Sequence, residues 1–112
     1  MKYALLIIVT LSLLLMASCT SHDELAKCLT ANKVKFYGAW WCPHCADQKE
    51  LFGNSMRYVN YVECSTPDGK DTTEICKEAD IKSYPTWVFA DGSRKTGEIP
   101  LETLAASAGC TA

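Results

Sequence analysis

The sequence predicts an α/β domain in which a central mixed β-sheet is flanked by helices. Three observations predict it. A strand-like run at residues 34–39 leads into a cysteine motif, and a segment rich in helix formers starts at Pro43. A second apolar run at 86–90 is followed by the turn residues Asp91 and Gly92, which indicate a hairpin. The chain has 112 residues, the length of one small domain.

Composition narrows the class of protein. Seven of the 112 residues are cysteine, far above the usage of cytosolic proteins. Such a content indicates disulfide bonds, a metal site or thiol redox chemistry. The formal net charge of −2 has the wrong sign for a nucleic-acid-binding protein, so no nucleic-acid partner is expected.

The first 18 residues have the pattern of an export signal. A positive charge precedes an apolar run at 3–15, which is shorter than the about 20 residues that span a bilayer. Residues 15–19 resemble a bacterial lipobox, with Met16 where that pattern usually has leucine. The resemblance implies that Cys19 is lipidated, which leaves an even number of cysteines. Simple secretion and an uncleaved anchor are the alternatives, and all three locate the domain outside the cytoplasm.

The remaining elements follow in order. After a short tether at 19–24, the domain proper is expected at 25–112. A helix is predicted at 23–31, where Leu25, Cys28 and Leu29 share one face. The further predicted elements, bounded by glycine, proline and polar turn residues, are a helix from Pro43 to Phe52, a strand at 58–64, a loop at 65–69, a helix at 73–79, a hairpin at 86–97 and a helix at 101–108.

Cys42 and Cys45 are predicted to be a redox-active pair. Because they are three residues apart at a strand-to-helix junction, they lie on the same side of the first helical turn. Backbone N–H groups and the helix dipole would stabilise the thiolate of Cys42, the nucleophile, and Cys45 would resolve the mixed disulfide. Pro43 and His44 are predicted to tune the couple, since an imidazole beside a thiolate favours the reduced form. A surface histidine without a role is the alternative for His44.

The motifs resemble those of a known superfamily. Trp41-Cys42-Pro43-His44-Cys45 resembles the thioredoxin active-site motif, and Tyr84-Pro85-Thr86 resembles the cis-proline loop. Cys-Pro-His-Cys is also the motif of DsbA-type periplasmic oxidases. The segments at 36–45, 61–64 and 84–87 are similar to the thioredoxin-like domain fused to, or partnered with, bacterial vitamin K epoxide reductase homologues. The resemblance implies a thioredoxin-like fold and disulfide exchange with protein thiols. It also implies an integral membrane partner that is linked to quinone.

The resemblance also implies roles for aromatic and proline residues. Pro85 in the cis form would face the Cys42 sulfur, and the backbone of Tyr84 would pair with substrate. A trans proline at a strand edge is the alternative. Trp41 and Tyr84 are expected to touch substrate.

Other aromatic residues carry weaker signals. Trp40 and Trp87 are expected to be scaffold, because aromatic residues near strands are usually part of the core. Phe36 occupies the position where thioredoxin has a buried acid, which favours an oxidase over a cytosolic reductase.

The other four cysteines are predicted to form structural disulfides. A Cys64–Cys76 bridge would close a polar loop that has little core of its own. A second redox pair is the alternative there. By elimination, Cys28 and Cys110 would tie the chain ends together, although six cysteines allow 15 connectivities.

The sequence therefore predicts a monomeric, extracytoplasmic thiol–disulfide oxidoreductase on the oxidative-folding side, with no cofactor. The alternatives are a reductase or isomerase supplied by a membrane partner, and a non-catalytic thioredoxin-fold binding module. A zinc site formed by Cys42, Cys45, Cys64 and Cys76 is disfavoured, because the second pair is 12 residues apart.

Overall fold

A computed structural model describes residues 21–112 of the chain. The predicted signal segment at 1–18 and the predicted lipidation site Cys19 lie outside the described residues. Among residues 21–112, no helix is both long enough and apolar enough to cross a membrane.

Residues 21–112 contain a four-stranded mixed sheet with the order β2-β1-β3-β4. Its strands are β1 (Lys35–Gly38), β2 (Tyr61–Glu63), β3 (Thr86–Val88) and β4 (Arg94–Thr96). The central strand β1 is parallel to β2 and antiparallel to β3, and β4 completes the hairpin with β3. This mixed sheet, with its flanking helices, confirms the predicted fold class and is compatible with a thioredoxin-like fold.

Helices connect and flank these strands. They are α1 (Asp23–Ala31), α2 (Pro43–Phe52), α3 (Glu74–Glu78) and α4 (Leu101–Ala108). Because α1 begins at Asp23, the last two residues of the predicted tether belong to this helix. The helix α2 links the parallel strands β1 and β2, so its amino end lies at the carboxyl end of β1.

The largest differences from the sequence prediction lie after α2 and after β3. After α2 the chain continues as a 3₁₀ helix, Gly53–Tyr58. The sequence did not predict this helix, because Gly53 at its start indicates the end of a helix. The predicted strand at 58–64 is therefore reduced to Tyr61–Glu63. The predicted strand at 86–90 likewise ends at Val88, because Phe89 already belongs to the turn that bonds to Ser93.

A buried polar contact fixes α2 against the sheet. Trp87 of β3 is fully buried and stacks on Phe36 of β1, with ring centroids 4.7 Å apart. Its Nε1 donates a hydrogen bond to Oε1 of Gln48, a fully buried side chain of α2. The same Gln48 amide also bonds both backbone groups of Ile99, at 2.7 and 3.0 Å. Because its polar atoms are satisfied, Gln48 orients α2, and with it the cysteine motif, at little cost. Trp87 is core, as expected.

Two disulfides tie peripheral segments to this core. Cys28 of α1 bonds Cys110, with a Cα–Cα distance of 6.0 Å. Cys64, directly after β2, bonds Cys76 of the five-residue helix α3, with a Cα–Cα distance of 5.4 Å. The second is the bridge predicted across the polar loop, and the first is the pair that elimination left.

Candidate redox site

Cys42 and Cys45 are the two cysteines of residues 21–112 that have no disulfide partner. Cys42 is the N-cap of α2, and its Sγ accepts a hydrogen bond of 3.3 Å from the Cys45 N–H. The Cys42 side chain keeps a 5% exposure, whereas Cys45 is completely buried. The pair therefore has one sulfur that a substrate can reach and one that lies behind it.

The environment of Cys45 disfavours its thiolate. Burial, followed by the hydrogen bond with Cys42, raises the pKa of the Cys45 thiol to about 12. The backbone of Ala39 and the positive charge of Lys49 act in the opposite direction and do not compensate. Cys45 is consequently a thiol at neutral pH, and it must lose a proton before it can attack a disulfide.

The proline loop lies beside the Cys42 sulfur. The Tyr84–Pro85 peptide bond is cis, and Cys42 Sγ lies 3.8 Å from the Tyr84 carbonyl oxygen. Pro85 is fully buried, and its carbonyl accepts a hydrogen bond of 2.9 Å from Gly97. The Trp41 ring meets the Tyr84 ring edge-on, with centroids 5.9 Å apart. The structure thus brings together the redox pair and the three residues predicted to face substrate.

Two tryptophans next to Cys42 are open to solvent. Trp40 is 56% exposed and Trp41 is 49% exposed. Trp41 Nε1 donates to Ser65 Oγ at 2.8 Å, and Trp40 Nε1 donates to the Thr66 carbonyl at 3.1 Å. The prediction that Trp40 is scaffold was wrong. The strand β1 has already ended before Trp40, so its indole leaves the sheet and lies against the loop that follows β2.

This supporting loop is itself cross-linked. The Cys64–Cys76 disulfide joins its two ends, and Ser65 and Thr72 form an isolated antiparallel bridge inside it. Between the loop and the proline loop lies a pocket of about 180 Å³, open to solvent. Its lining residues are Trp41, Ser65, Gly69, Lys70, Asp71, Thr72 and Tyr84.

Glu63 connects the redox loop to this support. One carboxylate oxygen, Oε2, accepts the backbone N–H groups of Trp40 and Ser65, at 3.2 and 3.0 Å. The other, Oε1, accepts the Tyr61 hydroxyl at 3.1 Å. Sequence reasoning missed Glu63 and Tyr61. A signal was available, because the carboxyl ends of parallel neighbouring strands meet at one edge, and Glu63 ends the strand beside β1.

His44 is exposed in the first turn of α2. One of its ring nitrogens and one carboxylate oxygen each of Asp47 and Glu98 form an exposed cluster in which these atoms lie within 4.8 Å of one another. The four-cysteine zinc site that we considered from the sequence is not available. Its members Cys64 and Cys76 are bonded to each other, so their sulfurs cannot act as thiolate ligands.

No protein-family model matches the chain. The chain is 47% identical, over 90 residues, to the protein named Thiol-disulfide oxidoreductase LTO1 from Arabidopsis thaliana. The match covers 76% of this chain and therefore includes its middle, where Cys42 and Cys45 lie. It covers 23% of the plant protein, so the chain spans about a quarter of that relative's length. This similarity supports a relationship between the chain and the thiol-disulfide oxidoreductases.

Proposed function

We propose that this protein is a thiol–disulfide oxidoreductase that exchanges disulfides with protein substrates through Cys42 and Cys45. One observation carries the proposal. These two cysteines lie unpaired in the first turn of α2, whereas the other four described cysteines are bonded in pairs. The plant relative is named for the same activity.

The different environments of Cys42 and Cys45 explain how disulfide exchange would proceed. In the oxidised protein, a substrate thiolate attacks the Cys42 sulfur, and Cys45 leaves with the electron pair of the broken bond. A second substrate thiolate then attacks the substrate sulfur of this mixed disulfide and displaces Cys42. The substrate gains a disulfide by losing two electrons and two protons, and the protein is left as the dithiol. The N–H hydrogen bond to the Cys42 sulfur favours the negative charge that this leaving group carries.

The surroundings of Cys42 suit an extended protein segment. The Tyr84 carbonyl lies 3.8 Å from the sulfur and offers a backbone partner to a substrate chain. The exposed indoles of Trp40 and Trp41, which directly precede Cys42, offer apolar contact area. We therefore assign substrate contact to Tyr84 and Trp41, as the sequence suggested, and add Trp40.

We further propose that the protein works outside the cytoplasm on the oxidative-folding side, attached to the membrane through a lipid on Cys19. The export-signal pattern supports the location, and so do two structural disulfides, which persist in oxidising compartments. Pro43 and His44, which lie between the cysteines, support the oxidising direction of disulfide exchange. A quinone-linked vitamin K epoxide reductase homologue is the partner that the sequence resemblance suggests.

A redox titration tests the proposal. The full chain, in detergent, is equilibrated in glutathione buffers of graded potential, and the Cys42–Cys45 disulfide is quantified by thiol trapping and mass spectrometry. The Cys42→Ser variant is the control. A potential near that of DsbA, about −120 mV, supports a disulfide donor, and one near that of thioredoxin, about −270 mV, indicates a reductant. The absence of a titrating pair would overturn the enzymatic proposal.

A further inference from the structure

Gly38 separates the buried sulfur of the redox pair from a tyrosine of the neighbouring strand. A Cβ placed on Gly38 would lie 3.1 Å from Cys45 Sγ, 3.0 Å from Cε2 of Tyr61 and 3.3 Å from the Tyr61 hydroxyl. Such contacts are too short for a side chain to be accommodated without movement. Glycine at this position of β1 therefore lets Cys45 and Tyr61 face each other across the strand.

The Tyr61 hydroxyl also has a hydrogen-bond partner. It donates a hydrogen bond of 3.1 Å to Oε1 of Glu63. Both side chains are half-buried. Burial, followed by the negative charge of Glu63, raises the pKa of Tyr61 above its usual value. Tyr61 consequently stays a neutral phenol, able to accept one proton while it gives another.

We propose that Tyr61 and Glu63 form the proton path of Cys45 during disulfide exchange. This inference rests on the proposed function, because the path is needed only if Cys45 attacks and leaves. Glu63 suits the role because Oε2 is occupied by two backbone N–H groups, whereas Oε1 faces only the phenol among the hydrogen bonds of the described residues.

Starting from a mixed disulfide between Cys42 and substrate, the Cys45 thiol gives its proton to the Tyr61 oxygen through one water, while the phenol proton passes to the Glu63 carboxylate. The Cys45 thiolate attacks the Cys42 sulfur, the Cys42–Cys45 bond forms, and the substrate sulfur leaves with the electron pair. In the oxidising direction the steps reverse, and the proton held by Glu63 returns to Cys45.

The other titratable groups near Cys45 and Tyr61 do not suit this proton. The titratable or charged groups that face Cys45 or Tyr61 are Cys42, Lys49 and Glu63. Cys42 is bonded to substrate at this step. Lys49, whose Nζ lies 4.0 Å from the Tyr61 ring centroid, is an ammonium group with no acceptor site. Its positive charge favours the thiolate form of Cys45 but cannot remove the proton.

The test separates the two sulfurs by kinetics. The full chain carries Cys19→Ser, so that Cys42 and Cys45 are the thiols left outside the two disulfides. With this pair reduced, the protein is mixed in a stopped-flow instrument with an aromatic disulfide whose released thiolate is coloured. The first release reports attack by Cys42, and the second reports resolution by Cys45. The variants are Tyr61→Phe, which keeps the ring, and Glu63→Gln, which keeps an oxygen acceptor. Glu50→Gln, an exposed acid on the helix that carries Cys45, is the charge-matched control.

Near neutral pH we expect Tyr61→Phe and Glu63→Gln each to slow the second release about tenfold or more, without changing the first. Because burial raises the pKa of Cys45, the difference in rate between each variant and the native chain should narrow as the pH rises and more thiolate forms without help. Glu50→Gln should change neither rate. A second release that is unchanged, or slowed by the same factor at every pH, would overturn the proton path. If the chain with native Tyr61 and Glu63 gave no second release, the proposed function would fail as well.

Discussion

The redox pair directly follows Trp40 and Trp41, and the Cys64–Cys76 bridge closes the loop that these two indoles contact, yet one pair is free and the other is bonded. Cys42 and Cys45 are free and belong to one helical turn. Cys64 and Cys76 are completely buried and bonded across a sequence separation of 12. The Cys28–Cys110 bridge spans a separation of 82.

The two pairs differ in how much the structure around them depends on a disulfide bond. The helix α2 is held by the buried Gln48 and needs no covalent bond, so its two sulfurs can be oxidised and reduced without a loss of structure. The helix α3 has five residues, and among them only Cys76 is buried. The Cys64–Cys76 disulfide therefore provides much of the contact between α3 and the rest of the domain. We infer that a redox pair requires a scaffold whose stability does not depend on it.

Removing the longest bridge should give the largest effect on stability. For Cys28→Ser combined with Cys110→Ser we expect the free energy of unfolding to fall by about 4.5 kcal/mol, because the unfolded chain regains the entropy of a long loop. Urea denaturation followed by tryptophan fluorescence measures it. The rate of exchange at Cys42 should not change while the variant is folded. A loss of exchange in folded protein would contradict the comparison.

The shorter bridge should combine a smaller loss of stability with a loss of function. Cys64→Ser combined with Cys76→Ser should lower the free energy of unfolding by about 3 kcal/mol, since the closed loop is shorter. It should also slow oxidation of an unfolded protein substrate, because the loop no longer holds the indoles of Trp40 and Trp41. Exchange with glutathione, which is too small to need these indoles, is the internal control. Equal slowing of both reactions would show that the bridge supports the redox pair itself.

The features that could be predicted from the sequence are those that depend on residues close together in the chain. The order of strand, Cys42 and helix depends on residues within a few positions, and the structure has it as predicted. The Cys64–Cys76 pair was predicted from the polar loop that it encloses, whereas Cys28–Cys110 followed from elimination rather than geometry. The 3₁₀ helix Gly53–Tyr58 was missed because Gly53, with a φ of 55°, ends α2 without ending the helical path of the chain.

The rest of the site depends on contacts between strands. Tyr61 reaches the space beside Cys45 only because β2 pairs with β1 in a register that sets Phe36 opposite Tyr61 and Gly38 opposite Glu63. A shift of one residue would turn these side chains to the other face of the sheet. No local pattern at residues 61–63 reports that register. The exposure of Trp40 was missed for a related reason, since it depends on the loop that follows β2.

The smallest effect that we expect concerns the reduction potential of the Cys42–Cys45 pair. His44 lies between the two cysteines and is exposed, so solvent weakens its influence on the Cys42 sulfur. Replacing it by leucine removes a polar group that favours the reduced form. The reduction potential should therefore fall, by about 30 mV, which corresponds to about 1.4 kcal/mol for a two-electron couple. Glutathione titration measures the shift, with His22→Leu at the start of α1 as the matched control. An unchanged potential would assign the redox poise to the backbone of α2 rather than to the residue between the cysteines.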